Sequence, residues 1–288
     1  MDYRLIDTHA HLDLSHFDIN SDDLLYRSLH GIFPEPVEEK IPLGGNRVKF
    51  VMESIIVPGI TADSSKNCIE IAGRSPVLFA AVGIHPNSAS ETAAGDWETI
   101  ERLANDPKTV AIGETGLDRY WDKTPLNLQI EYFERHIDLA KRKDLPIIIH
   151  CREADDELIP ILKRESTGKL RGVIHSFSSD RKFAEICLDC GFYISFSGSV
   201  TYTNKKFAGI WDAATVVPWD RILIETDSPF LCPHPYRSKL ERNEPLMVAF
   251  TAKRLAELRN CLLEEIVNQT TENAKKIFRL TPSATEDS

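Results

Sequence analysis

Six residues of metal-binding type fall at the ends of short apolar runs. His9 and His11 flank a single alanine after the run 4–8. Glu114 closes 109–114, His150 closes 146–150, His175 closes 172–175, and Asp227 follows 221–226. Imidazole nitrogens and carboxylate oxygens are what divalent transition ions take as ligands. Two residues apart on an extended chain, His9 and His11 point the same way and can reach one ion. Each feature alone has an ordinary reading: His-x-His is a weak metal sign, a strand-end histidine is commonly a hydrogen-bonded structural residue, and Asp-Ser-Pro is turn chemistry. Gathered at one end of a sheet, four histidines and two acids would be left repelled or unpaired unless a cation sat among them. Six ligands are too many for one catalytic ion, which keeps an open position. Two ions fit better, one on His9, His11 and Asp227, the other on His150 and His175, with Glu114 shared between them. Such a pair, about 3.5–4 Å apart, can draw a nucleophile from water and clamp both oxygens of an in-line phosphoryl displacement.

The elements that must position these residues are eight predicted strands, 4–8, 53–57, 77–83, 109–114, 146–150, 172–175, 192–196 and 221–226. Runs such as Ile147-Ile148-Ile149 suit strands covered on both faces. Helical patterns lie between most of them, at 64–74, 97–105, 126–142, 153–165 and 181–190, and two more follow at 245–258 and 262–278. The expected fold is a TIM-type (β/α)8 barrel, in which chemistry sits at the C-terminal strand ends. A doubly wound open sheet would be expected to carry a glycine-rich phosphate loop after its first strand; Asp7-Thr8-His9-Ala10-His11 stands there instead. The expected domain spans residues 1–280, with a polar, frayed tail at 281–288. An extra segment at 28–50, marked by Pro34, Pro36, Pro42, Gly44 and Gly45, interrupts the rhythm. It is expected to leave the barrel after the first strand, on the active face, with Gly44-Gly45-Asn46 capping a short helix toward Glu53; a first helix at Asp22–Leu29 would instead hang it on the far face.

The 288 residues include 34 basic and 44 acidic side chains, a net charge of −10, and 42% are hydrophobic. That content supports a large core and argues against disorder. No apolar run reaches the roughly 18–20 residues a membrane helix needs, so no membrane partner is expected. Met1-Asp2-Tyr3-Arg4 lacks the basic and apolar regions of a secretory signal. Six cysteines, several inside apolar runs, are too few for a disulfide framework, so the expected location is cytoplasmic. Cys187-x-x-Cys190 has redox spacing but sits in a helical pattern, where buried thiols are the simpler reading. The acidic balance argues against a broad nucleic-acid coat and leaves room for a local basic groove.

At the chemical residues the sequence resembles the TatD family of metal-dependent deoxyribonucleases, among the amidohydrolase-like barrels. The matching segments are Asp7-Thr8-His9-Ala10-His11-Leu12-Asp13, Gly83-Ile84-His85-Pro86, Gly113-Glu114-Thr115-Gly116-Leu117-Asp118, His150-Cys151-Arg152, His175-Ser176-Phe177-Ser178 and Glu225-Thr226-Asp227-Ser228-Pro229, followed by Pro235-Tyr236-Arg237 and Arg242-Asn243-Glu244-Pro245. They occur in family order and cover nearly the whole chain outside 28–50. The resemblance implies a two-metal hydrolase of phosphodiester bonds in DNA. Two departures bear on the substrate groove: the 28–50 segment and the link Arg237-Ser238-Lys239-Leu240-Glu241-Arg242 are both longer than the family's connections.

The expected activity is metal-dependent hydrolysis of DNA, at single strands or ends. Asp227 would act as ligand and proton acceptor, and Glu114 as bridge. His85, Arg152, Arg237 and Tyr120 are expected at the substrate: histidine beside a metal or leaving group, arginines on phosphate, tyrosine (with Trp121) on an unpaired base. Four histidines favour zinc, manganese, iron or nickel, whereas the family resemblance points to magnesium. The rival readings are amide, ester or lactone hydrolysis at the same dinuclear centre, and a metal-binding interaction module without turnover.

Overall fold

A computed structural model describes residues 2–13, 22–37, 41–43, 46–121, 123–166 and 168–280. The expectations for the tail 281–288 and for parts of the 28–50 segment lie outside the described residues. In chain order the elements are β1 (Asp2–Asp7), α1 (Asp22–His30), β2 (Ile41–Leu43), β3 (Asn46–Pro58), α2 (Ala62–Ala72), β4 (Leu78–Val82), α3 (Asp96–Leu103), β5 (Thr109–Asp118), α4 (Leu126–Lys143), β6 (Ile147–Arg152), α5 (Asp155–Glu165), β7 (Gly172–Ile174), α6 (Arg181–Asp189), β8 (Tyr193–Phe196), α7 (Ala208–Val216), β9 (Ile222–Ile224), α8 (Val248–Arg259) and α9 (Leu263–Phe278).

Eight parallel strands run in the order β1-β3-β4-β5-β6-β7-β8-β9. The seam between β9 and β1 is drawn together by Thr8 N–H donating to Ile224 O at 3.3 Å and Asp227 N–H donating to His9 O at 2.9 Å. Ala10 and Ser228 add a parallel bridge. This is the (β/α)8 barrel that the alternation of apolar runs and helical patterns predicts. Its side chains sort into two apolar layers, which explains the unbroken apolar runs. In Ile147-Ile148-Ile149 the outer two pack with the helices, while Ile148 joins Ile6, Ile56, Ala81, Ala111, Val173, Tyr193 and Leu223 in a separate cluster. The end of α9 closes that cluster with Ile277, Phe278 and Leu280. The mouth at the strands' N-terminal ends is therefore plugged, and the opposite end is left for polar residues. Among the described residues no helix is long and apolar enough to cross a membrane.

Three features differ from expectation. The helix α7 escaped the sequence reading because Gly209 and the β-branched Thr215-Val216-Val217 blur a nine-residue pattern. The strand expected at 53–57 is a thirteen-residue strand from Asn46 to Pro58, so no short helix runs from Asn46 to Glu53. The described parts of the extra segment do not border the active face. Helix α1 follows β1 and takes up the first three residues of the segment, and Ile41–Leu43 pairs antiparallel with Asn46–Val48, the very start of β3. In a parallel barrel strand starts lie at the end opposite the strand-end histidines. Gly31 ends α1 at a φ of +68°, where a Cβ would come within 2.3 Å of Phe50 O. Only glycine makes that turn against β3.

Candidate metal centre

The inward parity of the strands delivers much of the site. Ile148, Val173 and Leu223 belong to the inner apolar cluster. Two residues further along their strands come His150, His175 and Glu225, on the same face and one layer higher. Glu114 needs more than parity. It lies within β5, where the pairing with β6 shifts register between Ile112 and Thr115. Gly113 lies within that irregularity and Gly116 just beyond it. A Cβ on Gly113 would meet Ile148 O at 2.6 Å, and one on Gly116 would meet His150 O at 2.1 Å. The glycines let β5 press against β6 and bring the Glu114 carboxylate beside His150. Asp227 lies beyond β9 at a φ of +56°, its N–H held by His9 O.

All six sequence-predicted ligands converge. On one side, His9 Nε2 and His11 Nε2 face each other at 3.2 Å. They lie 3.3 and 3.5 Å from Glu114 Oε2, and 3.8 and 3.5 Å from Asp227 Oδ1. On the other, His150 Nδ1 and His175 Nε2 lie 2.9 and 2.8 Å from Glu114 Oε1. These sets, His9–His11–Asp227 and Glu114–His150–His175, have the atoms and spacing to hold divalent ions. The two oxygens of Glu114 are divided between them. Two imidazole nitrogens in such contact repel unless a proton or a cation lies between them, and among the described residues the ion pairs of Glu114 and Asp227 are all to imidazoles. The donor set therefore fits metal ions.

Carboxylates behind the rings decide which nitrogen is bare. Asp118 Oδ2 lies 3.0 Å from His150 Nε2, and Glu225 Oε1 lies 3.3 Å from His175 Nδ1. Each carboxylate takes the N–H on its side, leaving the opposite lone pair aimed at Glu114. Asp118 also accepts from Tyr120 N–H, Trp121 N–H and the Asn87 amide, and Glu225 accepts from Ser176 N–H at 2.6 Å and the Ser195 hydroxyl. Burial opposes ionisation of Asp118, but hydrogen bonds from His150 and Trp121 N–H together with the charge of His150 prevail and bring its carboxyl to about 2. Burial likewise opposes ionisation of Glu114, yet the imidazoles of His175, His85 and His150 hold it well below the usual carboxylate range. Burial opposes charge on His175, and Glu114 and Glu225 overcome it, so its proton affinity rises well above the ordinary value. The field that favours a proton there favours a metal ion.

His85 stands 3.4 Å from Glu114 Oε1 through Nε2. Its Nδ1 accepts Asn87 N–H at 3.1 Å, so the neutral ring carries its proton on Nε2. His85, Asp118 and His150 are close enough to look like another ion site. Their hydrogen bonds argue otherwise, because both imidazole nitrogens there bear protons. His85 is a donor facing the centre.

At the rim, the Arg152 guanidinium lies 3.8 Å from the centroid of the exposed Tyr120 ring, and Arg237 lies 4.5 Å from that of Tyr202. Asp118 and Glu225 were missed as site residues by the sequence reading. The available signal was parity: Asp118 is four residues beyond Glu114 in the same strand, and Glu225 is two beyond inward-facing Leu223. Cys187 and Cys190 are buried free thiols, and burial together with Asp155 raises the Cys151 thiol far above its ordinary range, so it is no nucleophile.

The profile of the family described as TatD related DNase matches residues 6–279. The chain is similar to the uncharacterized metal-dependent hydrolase YabD of Bacillus subtilis, 39% identical over 276 residues, covering 96% of this chain and 99% of the relative. It is 32% identical over 232 residues to the 3'-5' ssDNA/RNA exonuclease TatD of Erwinia tasmaniensis, covering 80% and 89% of the two chains. Among solved structures, YJJV, a TatD homologue from Escherichia coli K12, superposes with a TM-score of 0.83 at 28% identity, covering 98% of this chain and 100% of that one.

Proposed function

Since the chain belongs to the TatD related DNase family of metal-dependent hydrolases, we propose that it hydrolyses phosphodiester bonds in DNA, at single strands or strand ends, with two divalent cations held by His9, His11, Glu114, His150, His175 and Asp227. The observation that carries this reading is the division of Glu114, one oxygen toward His9 and His11 and the other toward His150 and His175. A carboxylate shared in this way suits a pair of cations, and such a pair supplies charge neutralisation on the entering and leaving oxygens of a phosphoryl displacement. Asp227 accepts the proton of the attacking water, being the acid of the set outside the shared carboxylate. His85 offers an Nε2–H to a phosphate or leaving-group oxygen. Arg152 and Arg237 bind backbone phosphates, a local attraction that a chain of net charge −10 requires. The exposed ring of Tyr120 is available to an unpaired base. The Erwinia relative, named for action on ssDNA and RNA, supports a nucleic-acid substrate.

The test offers a single-stranded oligonucleotide, an aryl ester and a dipeptide side by side, before and after chelation and metal re-addition. Metal-dependent cleavage of the oligonucleotide, with two ions per chain by elemental analysis, is the expected result. Turnover of the ester or dipeptide without DNA cleavage would assign the centre to amide or ester hydrolysis. Binding of DNA without cleavage of anything would make the chain an interaction module. The same elemental analysis identifies the metal.

A further inference from the structure

Phe230 is nearly half exposed, at 48%, three residues past Asp227. Its ring centroid lies 6.2 Å from that of His11, at an interplanar angle of 68°. Its backbone is clamped at both ends. Phe230 N–H donates to Asp227 O at 2.9 Å, and Phe230 O accepts from the Asn243 amide at 2.7 Å. Asn243 is fully buried, also donates to Thr226 O at 3.0 Å, and sends its own N–H to Pro229 O. The loop that sets Asp227 among the histidines therefore also sets an exposed aromatic ring beside one of them. Six large hydrophobic side chains are exposed among the described residues. Three of them, Tyr120, Trp121 and Phe230, follow strand C-terminal ends on the active face. The first two lie beyond β5 and near Arg152, and Phe230 lies beyond β9 on the His11 side.

We infer that Phe230 is the stacking surface for the unpaired nucleobase of the nucleotide whose phosphate is cut. The inference rests on the phosphodiesterase reading and adds to it a residue and a selectivity. Every base has a π-face, so stacking on a phenyl ring tolerates any sequence. A paired base inside a duplex has both faces covered by its neighbours and must be unstacked to reach such a ring. A ring held beside the centre therefore favours single strands and frayed ends over duplex interiors. The phenyl group has no hydrogen-bonding atom, so it adds affinity without reading the base.

The experiment uses short single strands carrying 2-aminopurine at the 3' or the 5' terminal nucleotide, and matched strands with an abasic terminal nucleotide. Binding is measured in an Asp227→Asn background to keep the strands intact, with Phe230, Phe230→Ala and Phe230→Tyr compared at equal metal content. The expected result is that the fluorescence of 2-aminopurine at one end changes on binding to the Phe230 and Phe230→Tyr proteins and not to Phe230→Ala. Phe230→Ala should also weaken binding of the intact strand about tenfold, the scale of one lost base stack, while leaving the abasic strand unaffected. Equal affinity and equal fluorescence change in the Phe230 and Phe230→Ala proteins would overturn the stacking role. If the unsubstituted protein neither binds nor cuts any strand, the phosphodiesterase reading fails first and the stacking role with it.

Discussion

At the scale of single residues, the site is defined by which nitrogen of each imidazole is bare. Asp118 and Glu225 behind the rings of His150 and His175 give two ambiguous side chains a fixed orientation, each with a bare nitrogen toward Glu114, and Asn87 N–H turns His85 into a donor. Metal-binding histidines commonly need this outer support to keep their geometry. Asp227 differs from the other acids in its side-chain exposure, 15% against 3% for Glu114 and 1% for both Asp118 and Glu225, so it has access to water. The first prediction follows. Asp227→Asn keeps the shape of the side chain and removes its charge and basicity. Turnover of a single-stranded oligonucleotide at saturating metal should fall by at least about 100-fold, the scale of a lost general base. The folded state should persist by circular dichroism. A near-normal rate would assign proton acceptance to another group.

At the scale of elements, the site depends on loops tied by buried polar side chains. β5 carries Glu114 only because Gly113 and Gly116 permit close approach to β6. The loop after β9 carries Asp227 in a left-handed conformation held by Asn243, whose amide reaches Thr226 O and Phe230 O. Arg27 of α1 then pairs with Glu244 through its two terminal guanidinium nitrogens, at 2.5 and 3.2 Å, so the first helix braces the same loop from outside. Asn243→Ala leaves two carbonyls without that donor. It is expected to cost about 1–3 kcal/mol of stability in denaturant titration. It should also weaken divalent-ion binding by about tenfold in calorimetry, because the loop no longer fixes Asp227. Lower stability with unchanged ion affinity would mean that the His9 carbonyl alone holds Asp227 in place.

At the scale of the whole molecule, the barrel separates a plugged apolar end from a polar end, and stability is linked to pH through a buried histidine that is not among the six converging residues. His136 of α4 is buried, accepts Ile84 N–H at 3.0 Å through Nε2 and turns Nδ1 to Tyr132 O. Burial lowers its pKa from 6.5 to about 4. The neutral ring is the folded form, and the unfolded chain binds the extra proton between those values. The contribution is therefore present in full above about 6.5 and is lost as pH falls toward 4. Between pH 7 and 5 the loss amounts to roughly 2 kcal/mol. His136→Gln retains an acceptor and cannot titrate. Its unfolding free energy should depend less steeply on pH than that of the unsubstituted protein, by about that amount, in urea titrations at the two pH values. Parallel pH profiles would show that His136 titrates alike in both states.

The sequence by itself determined the barrel, because runs such as Ile147-Ile148-Ile149 must be covered on both faces and helical patterns of matching length lie between them. It also determined the six side chains that converge. Ligand type and position at a strand end are local properties, readable without knowing neighbours. Only the tertiary structure decided what depends on distance between remote segments. Asp118 and Glu225 act through rings 32 and 50 residues away in the chain. Phe230 acquires its place beside His11 from a loop anchored by Asn243. The 28–50 segment showed the same boundary in reverse. Its prolines and glycines mark a local irregularity, but they do not say toward which face the chain leaves. The direction of a loop is set by the helix that precedes it, and α1 carries the chain away from the strand-end face as far as His30. The strand pairing of Ile41–Leu43 with the start of β3, a contact between chain segments rather than a property of either, sets those residues at the end opposite the strand-end histidines.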